Sequence, residues 1–138
     1  MTPMTIAILE DDGLLALDLE SLCETFGHDV IGTARCAAEA SRRFGGAAPD
    51  ILLSDMDLGD QLDGVDAVEL LRRSVSKLEV VFVTGTEAPG NLRRMRAVRP
   101  RAILPKPVRP EALRMALEPQ GYPRDRRHRR RASMGLPC

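Results

Sequence analysis

The sequence predicts an α/β fold in which one parallel sheet of five strands is covered by helices on both faces. Five short apolar runs alternate strictly with five segments of helical periodicity, and the runs lack the polar face that a half-exposed antiparallel strand would show. A length of 138 residues with 43% apolar content suits a single hydrophobic core.

The first strand is Thr5-Ile-Ala-Ile-Leu9, which stops at three consecutive acids, Glu10, Asp11 and Asp12. Leu15, Leu19, Leu22 and Phe26 then fall at helical spacing, with Asp12 placed to cap the helix and Gly27 suited to the left-handed position after its last turn. Asp29-Val-Ile-Gly-Thr33 is the second strand, and Ala37, Ala40 and Phe44 mark a helix ended by Gly45-Gly46. Asp50-Ile-Leu-Leu-Ser-Asp55 is the third strand. A loop rich in Gly and Asp follows it and leads to a helix with Val65, Val68, Leu71 and Val75 inward. Val80-Val-Phe-Val83 is the fourth strand. Leu92, Met95 and Val98 form the apolar stripe of a helix that starts near Pro89-Gly90. Ala102-Ile-Leu104 is the fifth strand, and Pro110 fits the first turn of a last helix carrying Leu113 and Leu117.

Composition narrows the function. With three Phe, one Tyr and no Trp, stacking on nucleic-acid bases is disfavoured. No stretch approaches the roughly 20 apolar residues of a membrane span, and the first residues lack the pattern of a secretory leader, so a cytoplasmic protein is expected. Cys23, Cys36 and Cys138 are odd in number and not closely paired, which argues for reduced thiols rather than a disulfide framework or a Cys-based zinc site. The zero net charge hides a polarised chain: residues 1–88 carry 17 acidic and 6 basic side chains, residues 89–138 carry 14 basic and 3 acidic. The arginine-rich segment 119–138 lacks the apolar content to fold and is read as a disordered basic tail behind a domain spanning 1–118. Any nucleic-acid or lipid contact of that tail would be non-specific.

In an open parallel sheet, ligands bind outside the carboxyl ends of the strands. Those ends are Glu10-Asp11, Asp55, Thr84 and the position before Lys106, so all these side chains converge on one rim. Crowded carboxylates repel, and a divalent cation relieves the repulsion. Magnesium, held by one or two carboxylates plus phosphate oxygens, fits such a set. A carboxylate beside it can act as the nucleophile toward a phosphoryl donor. Lys106 and Thr84 would supply the ammonium and hydroxyl that meet the equatorial oxygens of the group in transfer.

Taken together, Ile8-Leu-Glu-Asp-Asp12, Ile51-Leu-Leu-Ser-Asp55, Val81-Phe-Val-Thr84-Gly85 and Lys106-Pro107 resemble the receiver domains of two-component response regulators, from Thr5 to Glu118. The resemblance implies a flavodoxin-like, doubly wound sheet of order 2-1-3-4-5 and a cis Lys106-Pro107 bond. It further implies magnesium bound by Asp11, by Glu10 through water, by Asp55 and by the Asp57 carbonyl, with Asp55 accepting a phosphoryl group from a sensor histidine kinase or histidine phosphotransfer protein. Two positions depart from the pattern: Ile103 stands where an aromatic or hydroxyl switch residue is usual, and Gly59 where Pro is usual. Phe82-Val-Thr-Gly85 with Ile103 resembles an atypical receiver subgroup of alphaproteobacterial signalling.

The leading expectation is thus a stand-alone phosphoacceptor switch, not an enzyme beyond self-catalysed phosphoryl uptake and loss. Two other readings remain open. One is a docking module that keeps the fold without phosphorylation. The other is a small phosphatase of the haloacid-dehalogenase type, suggested by Asp55-Met-Asp57 but misplaced after the third strand rather than the first. Asp57, Asp60 and Asp63 read as solvated loop acids, and His28 as a capping or surface residue. The eight basic side chains between residues 89 and 118, among them Arg93, Arg94, Arg96, Arg99 and Arg101, suggest an acidic partner or a homodimer contact.

Overall fold

The computed structural model describes residues 3–118, so the basic tail expected at 119–138 lies outside the described residues. The ten expected elements are present: β1 (Thr5–Leu9), α1 (Gly13–Thr25), β2 (Asp29–Ala34), α2 (Ala37–Phe44), β3 (Ile51–Ser54), α3 (Gly64–Arg72), β4 (Glu79–Thr84), α4 (Pro89–Ala97), β5 (Ala102–Pro105) and α5 (Pro110–Leu117). All neighbouring strands are parallel, in the order β2-β1-β3-β4-β5 that the resemblance implied.

Alternation along each strand divides the core in two. Ile6, Ile8, Ile51, Leu53, Val81 and Val83 face Leu19 and Cys23 of α1 and Leu113 and Leu117 of α5. Their sequence neighbours Ala7, Leu9, Leu52, Val80 and Phe82 face Phe44 of α2, Val68 and Leu71 of α3 and Met95 of α4. Each such large side chain, removed from water, contributes about 1.5–3 kcal/mol. Strands sandwiched this way need apolar residues at every position, which is why they read as continuous runs.

Helix ends follow local chemistry. Asp12 caps α1 by accepting from the Leu14 and Leu15 N–H groups at 3.0 and 3.2 Å, and Gly27 takes φ +89° just after the helix. Asp63 is not a solvated loop acid, as the sequence suggested, but the N-cap of α3. It accepts from Asp66 N–H at 3.0 Å while the Asp66 carboxylate accepts from Asp63 N–H at 3.0 Å. Arg94 of α4 pairs with Asp63 and, at 3.4 Å, with Asp66, tying the two helices together.

One further expectation changes on burial. His28 is buried, with Nδ1 accepting from Met4 N–H at 3.1 Å, because its side chain turns under the start of β1 rather than out to water. Cys23 is a free thiol, as expected, and burial pushes it up to about 12.

Candidate functional site

Register brings the acids together. Leu9 pairs with Ser54 across β1 and β3, so the next residues, Glu10 and Asp55, leave the sheet side by side. Thr84 is the last residue of β4 and pairs with Pro105, which places Lys106 one step beyond the same rim. The Lys106-Pro107 bond is cis, and Lys106 N–H donates to the Thr84 carbonyl at 3.0 Å.

An open cavity of about 560 Å³ is lined by Glu10, Asp11, Asp12, Asp55, Asp57, Gly59, Thr84, Gly85, Thr86 and Lys106. One carboxylate oxygen from each of Glu10, Asp11 and Asp55 lies within 4.8 Å of the others, an arrangement able to hold a cation. Asp57 is exposed; its carboxylate accepts from Gly59 N–H at 3.1 Å, and its own N–H donates to Asp55 Oδ1 at 3.3 Å. The side chain thus ties the loop at Gly59.

Lys106 organises the charge. Its Nζ donates to Asp55 Oδ2 at 2.9 Å and to Glu10 Oε1 at 3.0 Å. Burial alone would lower the lysine pKa, but the hydrogen bonds and charges of Asp55 and Glu10 outweigh it and hold the ammonium above its ordinary value. Glu10, only 1% exposed, has its carboxyl pushed up by burial, opposed by the Asp12 N–H and Lys106 and reinforced by the charge of Asp55. A cation would relieve that strain, as the donor set suggests.

Every site residue named from sequence lies at this rim. What the sequence reading did not identify is the packing that makes room for it. A Cβ on Gly64 would stand 2.2 Å from the Asp55 carbonyl oxygen, so the start of α3 approaches the acceptor strand as only glycine permits. Gly59 takes φ +64°, with its Cβ position 3.3 Å from Asp11 Oδ2. The glycines after Asp55 were the visible signal, but the approach is a tertiary fact. The basic stretch is also less available than it looked. Arg94 pairs with Asp63 and Asp66, Arg101 with Glu79, and Arg114 with Glu111 and Glu118. Arg93, Arg96 and Arg99 remain exposed and, among the described residues, outside any ion pair.

Comparison with known proteins agrees with this geometry. The model of the response regulator receiver domain family matches residues 6–118. The phyllosphere-induced regulator PhyR of Methylorubrum extorquens is 41% identical over 80 residues, which cover 57% of this chain and 30% of that protein. The signal receiver domain of a modulated diguanylate cyclase from Desulfovibrio desulfuricans superposes with a TM-score of 0.77 at 31% identity, covering 84% of this chain and 91% of that one. A PhyR variant from Bartonella quintana, described as an anti-anti-sigma factor, superposes with a TM-score of 0.69 at 27% identity, over 84% of this chain and 47% of that one. The matched segments span 30 to 39% of the length of the curated relatives. On the family match over residues 6–118, with the strand order in agreement, the chain belongs to the response regulator receiver domain family.

Proposed function

We propose that this chain is a magnesium-dependent phosphoacceptor whose Asp55 is phosphorylated by a sensor histidine kinase or a histidine phosphotransfer protein, in the cytoplasm. The observation that carries the reading is the Lys106 ammonium bridging Glu10 and Asp55 over an acid-lined cavity. Glu10, Asp11, Asp55 and the Asp57 carbonyl would hold the ion, which when bound neutralises the carboxylates and the phosphoryl oxygens.

The protein's own groups divide the remaining work. An Asp55 carboxylate oxygen forms the bond to phosphorus as the donor's phosphorus–nitrogen bond breaks, and the electron pair leaves with the donor imidazole. Lys106, already within hydrogen-bond reach of Asp55, pairs with a phosphoryl oxygen, and the Thr84 hydroxyl donates to another. Nothing in this sequence of steps is a turnover, so the chain acts as a switch and not as an enzyme. The Asp57 carboxylate, held by the Gly59 N–H, is poorly placed for the general acid of a phosphatase.

The output is a protein contact. Relatives of the PhyR type make an anti-sigma system a fitting setting, and the exposed Arg93, Arg96 and Arg99 suit an acidic partner or a second copy. A docking module indifferent to phosphorylation is the second reading. It is favoured by Ile103, half-buried against the core with no polar atom to couple to Thr84.

Acetyl phosphate with magnesium separates the two. Intact mass should show one phosphoryl group on the wild type and none on Asp55→Asn. A folded wild type that gains no mass would leave docking as the function.

A further inference from the structure

The Thr84 hydroxyl is engaged from behind. Thr86 N–H donates to Thr84 Oγ1 at 3.2 Å, and the Thr86 hydroxyl oxygen in turn accepts from Ala88 N–H at 3.3 Å and from Asn91 Nδ2 at 3.2 Å. The hydrogen bonds thus run without a break from the end of β4 into the first turn of α4. Ala88, the residue at the N-cap of α4, has no side-chain cap to offer. Thr86 thus ties this helix start to the site loop.

A hydroxyl has one proton and two lone pairs. While Thr84 Oγ1 accepts from Thr86, its proton is available to an acceptor in the cavity. A group on Asp55 that draws Oγ1 toward itself, or turns it into another staggered well, strains or breaks the bond from Thr86. Ile103 offers no alternative line, since it is apolar and packs into the same core cluster as Leu92 and Met95 of α4.

We propose that Thr86 and Asn91 are positioning residues that carry the state of the Thr84 hydroxyl to α4, in place of a switch residue on β5. The link from Thr84 to α4 stands on the geometry alone. That phosphorylation drives it rests on the phosphoacceptor reading above. The helix so addressed carries Arg93 and Arg96, the exposed cations suited to a partner.

Hydrogen exchange of the α4 amides in the full chain tests both halves. Without phosphorylation, Thr84→Val removes the acceptor and keeps the shape, and should speed exchange in α4 by about fivefold, the worth of one hydrogen bond. Asn91→Ala should do the same, and the double variant should add nothing further. Thr86→Ser, which keeps the hydroxyl, should behave as the wild type. After acetyl phosphate and magnesium, Asn91→Ala should take up the label as the wild type does, yet lose the change in α4 exchange that labelling produces in the wild type. Thr86→Val replaces Asn91→Ala if the latter does not fold. Additive effects of Thr84→Val and Asn91→Ala, or an undiminished response of α4 in labelled Asn91→Ala, overturn the relay while leaving the phosphoacceptor reading intact. A wild type that takes no label, with the non-additivity present, overturns the phosphoryl drive and keeps the link.

Discussion

β3 has an aspartate at each end, and the two are buried almost equally, Asp50 at 9% exposure and Asp55 at 6%. Their surroundings differ in kind. Asp50 Oδ2 accepts from Thr5 N–H at 2.9 Å and from the Thr5 hydroxyl at 3.0 Å, while Asp50 N–H donates back to the Thr5 carbonyl at 2.9 Å. The two donors from Thr5 are neutral, and they pin β3 to β1. Asp55 instead faces two other carboxylates, one ammonium and an open cavity. Burial alone does not distinguish a structural acid from a reactive one. What distinguishes them is whether the partners are fixed donors or further charges around a space.

Exchange of each acid tests that distinction, and the largest expected effect is at the closed end. Asp50→Ala leaves the Thr5 N–H and hydroxyl without an acceptor, and should destabilise the fold by about 2–3 kcal/mol in urea unfolding. Asp55→Asn loses a lysine contact but relieves repulsion with Glu10, so stability should change by less than about 1 kcal/mol. Equal losses for the two variants would erase the contrast. A smaller effect comes from the cation. At ten times its dissociation constant, magnesium should stabilise the wild type by about 1.4 kcal/mol, and should not stabilise Asp11→Asn. A variant of Asp50 that remains folded should keep the response. If Asp11→Asn shifts in melting temperature as much as the wild type, the cation is not held at this rim.

The open end was legible in the sequence because topology does the work there. Once five apolar runs alternate with helices, the residues that follow each run must share a rim, and Glu10, Asp11, Asp55, Thr84 and Lys106 stand at those positions. The closed end was not legible. Asp50 looked like the plain start of a strand, and nothing local announces that Thr5, 45 positions away, supplies its donors. Asp63 failed for a related reason: among several loop acids, only the capping geometry and the reach of Arg94 from α4 single it out. Gly64 belongs with these, since its need for no side chain arises from the carbonyl of Asp55 and not from its own turn. Arg94, Arg101 and Arg114 looked available for a partner until the structure showed their acids within the same chain.

His28 sharpens the comparison at the smallest scale, since it too lies at the closed end, under Met4. Burial, with the charge of Arg101 added, holds its imidazole below the ordinary value, so the folded protein keeps it neutral. Nδ1 accepts from Met4 N–H, so the proton of the neutral ring belongs on Nε2. The unfolded chain, with an unperturbed His pKa of about 6.5, takes up a proton first as the solution is acidified. The stability that His28 provides is therefore complete above that value, and declines as pH falls from there to the lowered folded value. Glu10, with its carboxyl raised, carries a dependence of opposite sign, favouring the fold at low pH. Measuring unfolding free energy against pH for the wild type and for His28→Gln cancels the Glu10 contribution, because Gln keeps an acceptor for Met4 but does not titrate. The difference between the two curves should narrow as pH drops below about 6.5. A constant difference across that window would mean that the ring protonates as readily folded as unfolded, and that the closed end is open to solvent.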